Sequence, residues 1–267
     1  MRLMIKLASH DPWDLGKAYY SGTSFSVAAK ETGSQGVTFK TDGLKMYIIG
    51  DGSGSINEYN LSTAWDISTA SFLQSFGVSV QDNVPLDICF KTDGTKVFVV
   101  GNQNDSVYEY ALSTAWNIST ASFTQSFDVS AQGDGHIGLA FKSDGTKMFT
   151  VEVSSPNSKI FEYALSSAWD ISTASFTQSF TVSSQEENPT SMAFNTSGKK
   201  VFVLGSATQK IYEYLLSTAW DISTAVLGKS FSVTQENTGC NGLAFKTDGT
   251  RFYMIGNRND KVHQYIV

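Results

Sequence analysis

Five tryptophans, Trp13, Trp65, Trp116, Trp169 and Trp220, follow one another at intervals of 52, 51, 53 and 51 residues, and the chain has no others. Each lies in a near-copy of one unit, seen most clearly in Ala64-Trp65-Asp66-Ile67-Ser68-Thr69-Ala70 and Ala219-Trp220-Asp221-Ile222-Ser223-Thr224-Ala225. A module of about fifty residues that recurs at a fixed step buries its apolar faces against its neighbours, so the copies must stack in a ring or a row.

Other markers keep the same step. A Phe-Lys-Thr-Asp-Gly cluster starts at Phe39, Phe90 and Phe245, with variants at Phe141 and Phe194. A Glu-Tyr pair follows each of the first four, at Glu58, Glu109, Glu162 and Glu213, and Gln264-Tyr265 follows the last. A Ser-Phe-x-Val stretch closes the unit at Val78, Val129, Val182 and Val233. One module reads as four short strands. The first ends at the Phe before the turn, as in Leu139-Ala140-Phe141. The second is almost wholly apolar, as in Val97-Phe98-Val99-Val100, and suits an inner position. The third alternates, as in Ile211-Tyr212-Glu213-Tyr214, and suits a more exposed one; the fourth is Ser-Phe-x-Val. Asp-Gly between apolar runs is a hairpin signal, because glycine accepts the positive φ of a tight turn.

The two ends of the repeat array decide between row and ring. The last module stops after its third strand at Tyr265-Ile266-Val267, and its missing Trp connection and fourth strand stand at the other end, as Trp13-Asp14-Leu15 and Ser24-Phe25-Ser26-Val27. A split unit has a purpose only if it latches a circle. The expectation is an all-β, five-bladed β-propeller of ~51-residue, four-stranded blades, closed by an N-terminal strand joining the C-terminal blade. Residues 1–12 form an arm and 13–267 a single domain, with the closing blade shared by 13–27 and 242–267.

Eighteen Phe, eleven Tyr and five Trp supply ample core. A net charge of −6 argues against nucleic acid, which requires a basic face. Cys89 and Cys240 fall in non-neighbouring modules, so a bridge between them is not expected. No 18-residue apolar run is present, so no membrane insertion is expected, and Met1–Lys6 lacks the apolar core of a signal peptide.

In a propeller, loops entering each blade share a face with loops joining its second and third strands. Those are the loops that differ most between modules here, whereas the Thr-Asp-Gly turns and Trp connections of the opposite face barely change. The variable face is therefore the expected binding face, with Gln35, Asp51, Asp82, Asn83, Asn104, Asp105, Asp134, Glu187, Asn188, Asn237, Asn241, Asn257 and Asp260 as candidates. Amides and carboxylates suit hydroxyl-rich ligands, although the same residues are common in any tight loop. These loops carry no Trp, Tyr or Phe, which counts against a deep sugar pocket. The tryptophans, by their regularity, read as packing residues. Asp82, Asp134 and Glu187 stand at matching loop positions and could ring a metal, but a five-membered ring leaves a narrow axis. His10, His136 and His263 have no metal-ligand spacing, and no Gly-x-Ser-x-Gly elbow occurs. No catalytic residue, cofactor or metal is expected.

The Trp-Asp pair differs from WD40 repeats in lying within a connection and lacking a Gly-His partner, and the absence of Gly-Gly separates the chain from kelch repeats. The Phe-x-x-Asp-Gly stretch followed by an x-x-Glu-Tyr strand is more similar to YVTN- and NHL-type propellers. The full unit, Phe-Lys-Thr-Asp-Gly-Thr-Lys through Ala-Trp-Asn-Ile-Ser-Thr-Ala-Ser-Phe, resembles repeats in predicted propellers of marine phages and bacteria over residues 13–267. That resemblance implies a non-enzymatic virion component, a tail, fibre or capsid-surface propeller. It would be made in the host cytoplasm, contact other virion proteins through its N-terminal arm, and bind a host glycan or a virion protein on the variable face. The alternatives are a metal-dependent, lactonase-like hydrolytic propeller and a cellular interaction scaffold.

Overall fold

The computed structural model describes residues 12–154, 156–234 and 239–267. Twenty strands form five antiparallel four-stranded sheets. Blade 1 holds β2 (Ser34–Phe39), β3 (Lys45–Gly50), β4 (Ser55–Leu61) and β5 (Ala70–Gly77). Blade 2 holds β6 (Pro85–Phe90), β7 (Lys96–Gly101), β8 (Ser106–Leu112) and β9 (Ala121–Asp128). Blade 3 holds β10 (His136–Phe141), β11 (Lys147–Glu152), β12 (Lys159–Leu165) and β13 (Ala174–Thr181). Blade 4 holds β14 (Pro189–Phe194), β15 (Lys200–Gly205), β16 (Lys210–Leu216) and β17 (Ala225–Ser232). Blade 5 takes β18 (Cys240–Phe245), β19 (Arg251–Gly256) and β20 (Lys261–Ile266) from one end of the chain and β1 (Tyr19–Ser26) from the other. The chain is a five-bladed β-propeller. Its ring is closed by β1 pairing antiparallel with β20.

The innermost strands β2, β6, β10, β14 and β18 contact one another in a circle around the axis. Second strands are buried on both faces, as their apolar runs require. The third strands are also buried almost throughout, against the expectation from their alternation. The reason lies in the polar position of that alternation. Glu58, Glu109, Glu162 and Glu213 point inward and pair with Lys45, Lys96, Lys147 and Lys200 at 2.5–3.1 Å. The fourth strands are longer than Ser-Phe-x-Val, because each begins directly after a single 3-10 turn such as Ile67–Thr69.

Each Trp adopts a positive φ between 60° and 70°, a region costly for any residue with a Cβ. Its N–H donates to the carbonyl of the Thr-Asp-Gly glycine, or of its Ser-Gly counterpart in blade 4, as in Trp116 to Gly94 at 2.9 Å. The indole then lies flat on that glycine: a Cβ on Gly94 would sit 2.2 Å from the Trp116 ring. The Trp carbonyl is turned toward the preceding blade, where it accepts from Lys45 (Trp116), Lys96 (Trp169), Lys147 (Trp220), Lys200 (Trp13) and Arg251 (Trp65) at 2.8–3.0 Å. The tryptophans are interblade latches, buried to 7–8% exposure at Trp13, Trp65, Trp116 and Trp169.

Candidate functional site

Most of the polar side chains on the variable face are occupied by the fold's own wiring. Asp82 is buried and accepts from the backbone N–H groups of Val84 (2.8 Å), Gln103 (3.4 Å) and Asn104 (3.3 Å) and from the Tyr108 hydroxyl (3.2 Å). Its structural counterparts are Glu31, which binds Gly33 and Ser53, and Glu186, which binds Asn188, Ala207 and Thr208. Asp105 and Asp260 take left-handed corners at φ 42° and 47° and reach the next blade, accepting from Gly135 N at 2.8 Å and from Ser34. Asn104 donates to the Gln81 carbonyl and Asn241 to the Ser34 carbonyl. Gln35 donates to Asp51 at 3.4 Å. Asp51, Asn83, Asp134, Glu187, Asn188 and Asn257 are exposed on five loops, Glu187 and Asn188 sharing one. Asn237 lies outside the described residues, as do His10 and the rest of the N-terminal arm through residue 11.

The imagined ring of Asp82, Asp134 and Glu187 does not form, since Asp82 turns inward while the other two are exposed. Among the described residues, no group of three or more His, Cys, Asp or Glu side chains is placed to hold a metal.

The cavity lies on the axis and opens on the other face. It has a volume of about 250 Å³. Four walls come from Phe39, Phe141, Phe194 and Phe245, and exposed Thr41, Thr196 and Thr247 surround the mouth. Trp13 and Trp65 also border it, so two of the latches have a second surface toward this space. The space exists because the inner strands carry small residues at one level: Ala140, Ala193 and Ala244 on three successive blades, across from Thr38 and Cys89. The axis, expected to be narrow, thus holds a cavity at this level.

Asp87 stands at the deep side of this cavity. Every innermost strand has a register shift after its first residue, as between Pro85 and Asp87. The residue that follows the shift is the point where neighbouring strands come closest. Three blades use glycine there, at Gly36, Gly138 and Gly242; a Cβ on Gly36 would fall 2.8 Å from the Asp87 carboxylate. Blade 2 places Asp87 there and blade 4 places Ser191. One carboxylate oxygen accepts from the N–H of Ile88 at 2.8 Å, and the other from Leu139 N of blade 3 at 3.1 Å. Ser191 is beside it and in turn accepts from Leu243 N of blade 5 at 3.3 Å. Burial is the dominant influence on Asp87; it outweighs these hydrogen bonds and pushes the carboxyl up to about 7. The neighbouring Cys89 thiol is pushed up by burial to about 12, which leaves it un-ionised. An acid tuned to neutrality, in a walled cavity that meets solvent, is the combination that acid–base chemistry needs.

Sequence reasoning passed over Asp87 because it looked for acids in loops. Its signal was present: aligned on the repeat, position 87 is the one acid among Gly36, Gly138, Ser191 and Gly242.

No protein-family model matches the chain, and no curated protein sequence matches it. Solved structures do. A candidate 6-phosphogluconolactonase from Bacteroides uniformis is 15% identical over 73% of this chain and 52% of its own, with a TM-score of 0.48. The periplasmic gluconolactonase of Pseudomonas aeruginosa is 16% identical over 74% and 53%, with a TM-score of 0.46. The β-propeller domain of Myceliophteria thermophila Cps50 is 10% identical over 94% and 99%, with a TM-score of 0.50. At such identities the likeness is one of fold, and the chain spans about half the length of the two structures named for lactones. The comparisons nevertheless correct the expectation of a non-enzymatic virion component. The propellers they bring forward include ones named as lactonases, and nothing in them supports a tail, capsid or adhesive role. The virion expectation rested on the resemblance of the repeat unit, which fixes the blade and carries no information on the use to which the ring is put.

Proposed function

We propose that this propeller is a hydrolase of small lactones that works from the axial cavity with Asp87 as its acid–base group. The observation that carries the reading is a buried carboxyl, poised near neutrality, at the base of an aromatic-walled space that opens to solvent. In the ionised form Asp87 takes a proton from a water molecule whose oxygen adds to the acyl carbon. The ring C–O bond then breaks, and the proton passes from Asp87 to the leaving oxygen, so that lactone and water become a hydroxy acid. Carboxylate-assisted hydrolysis needs no ligand set beyond these groups. Lactone hydrolysis is also the reaction for which two of the similar folds are named. The Phe-x-x-Asp-Gly turn and x-x-Glu-Tyr strand of the repeat, similar to those of YVTN- and NHL-type propellers, accord with this reading.

The test is hydrolysis of a panel of simple lactones by purified protein. Activity should rise with pH through about 7 as Asp87 ionises, and Asp87→Asn should lower kcat/KM by about 100-fold or more. Turnover unchanged in that variant would remove Asp87 from the chemistry.

A further inference from the structure

We propose that the axial cavity selects uncharged lactones carrying a short apolar substituent and rejects phosphorylated or carboxylated ones. This rests on the hydrolytic reading above and adds the substrate class to it. The argument comes from what surrounds the cavity. Among the described residues, its walls contain no Lys, Arg or His, and Asp87 is the acid. Cations do ring the mouth, since Lys40, Lys91, Lys142 and Lys246 directly follow the innermost strands of four blades. Each, however, is already bound to the aspartate of its own turn: Asp42 at 2.7 Å, Asp93 at 2.8 Å, Asp144 at 2.8 Å and Asp248 at 2.7 Å. The fourth blade places Asn195 at the same position, where its side-chain oxygen accepts from Lys200 N. Four of the five turns are thus electrically neutral, and on the fifth, which has Ser197 in place of aspartate, the Lys199 ammonium donates to the Ser217 carbonyl of the outer connection.

A phosphate or carboxylate entering this space would leave water without a counter-charge and would approach a carboxylate. Such a transfer is strongly unfavourable for an ion of this size even after relaxation. An uncharged ring meets no such barrier. Its substituent gains contact with Phe39, Phe141, Phe194 and Phe245, while the threonines at the mouth can exchange hydrogen bonds with ring oxygens. The cavity's 250 Å³ gives room for one small ring and a short chain.

The experiment compares a matched pair of substituted lactones, one ending in methyl and one in phosphate, in two assays. Hydrolysis by the native protein reports turnover. Quenching of tryptophan fluorescence in Asp87→Asn reports binding without turnover, because Trp13 and Trp65 border the cavity. The expected result is at least about a hundredfold preference for the neutral lactone in kcat/KM, with quenching by that lactone alone. Thr196→Lys, at the exposed rim, should narrow the gap several-fold in a salt-sensitive way, since it adds an unpaired cation. Equal use of the two, or preference for the phosphate, would overturn the selectivity and leave the hydrolytic reading standing. Quenching by the neutral lactone without hydrolysis would uphold the ligand class while sinking the hydrolysis. Absence of both signals would dispose of the two proposals together.

Discussion

At the scale of single residues, Asp87 makes a claim about stability as well as chemistry. Its carboxyl moves from an unfolded value of 3.8 to about 7 in the fold because burial disfavours the charge. The folded state therefore holds a proton that the unfolded chain has lost between those two values. By linkage, the contribution of Asp87 to stability is greatest at and below about pH 4, falls as pH rises to about 7, and is level above that. The difference corresponds to roughly 4 kcal/mol for this fully buried group. The buried His136 and His263, held below their usual value by desolvation, act in the opposite sense over the same range, so we expect the fall in the difference between the native protein and Asp87→Asn on chemical denaturation. A parallel fall in the variant would mean that other groups set the pH dependence. The latch residues make a second claim at this scale. Gly145 has φ 75°, and a Cβ there would lie 2.2 Å from the Trp169 indole. Gly145→Ala meets both the backbone penalty and the collision, so a loss of about 2–4 kcal/mol is expected in urea melts. The full removal of an indole, Trp116→Ala, should cost about 3–5 kcal/mol. A small loss with weakened ligand binding would instead mark Trp116 as a recognition residue.

At the scale of strands and hairpins, one pair of positions shows how the blades conserve a function while exchanging its parts. In blades 1, 2 and 4 an acid in the entering loop (Glu31, Asp82, Glu186) lies against a glycine at the end of the second strand (Gly50, Gly101, Gly205). In blade 3 the two are exchanged: Gly133 is in the loop and Glu152 ends β11, with the carboxylate oxygen 2.0 Å from where a Gly133 Cβ would be. Burial raises the Glu152 carboxyl above its ordinary value. We therefore expect Gly133→Glu and Glu152→Gly each to destabilise the protein by about 1–3 kcal/mol, the first by collision and like charge, the second by leaving the Asp134 N–H without its acceptor. The double variant recreates the arrangement of the other blades and should recover at least half of the summed loss in a double-mutant cycle. Simple additivity would show that the two positions do not exchange roles. This pair also explains how far the sequence could be read. Strand order and turn glycines were legible because each repeats five times in chemistry that admits one local geometry, and ring closure because one unit is divided between Trp13–Val27 and the last three strands. The site was obscured for the complementary reason. Loop acids such as Asp82 advertise binding yet are consumed by backbone amides, while Asp87 differs from its repeat partners by one residue inside an apolar strand. Its burial and its pKa follow from the convergence of five strands, which no single repeat encodes.

For the whole molecule, stability depends on a circle of latches, two of which cross the closing blade. Lys200 reaches the Trp13 carbonyl at 2.9 Å, and Arg251 reaches that of Trp65 at 3.0 Å. β1 pairs with β20 from Tyr19↔Ile266 to Ser26↔Lys261, interrupted by one irregularity. Trp13 stacks on Phe245 with ring centroids 4.9 Å apart. Residues 12–27 thus act as a wedge that covers the edge of β20, fills the contact with blade 4 and satisfies Lys200. A chain beginning at residue 28 keeps four complete blades but leaves an open strand edge and loses the Trp13 carbonyl as acceptor for Lys200. We expect it to lose the sharp thermal transition of the native protein and to associate through β20, as uncovered edges do. A synthetic peptide of residues 12–27, added in excess, should bind that edge and restore a single transition whose midpoint rises with peptide concentration, because the peptide binds the folded ring alone. The same peptide with Trp13 replaced by Ala retains the strand but not the stack, so it should need a higher concentration to do so. Full cooperativity in the shortened chain without peptide would show that four blades hold the ring unaided, and that the circle of latches contributes less than its geometry implies.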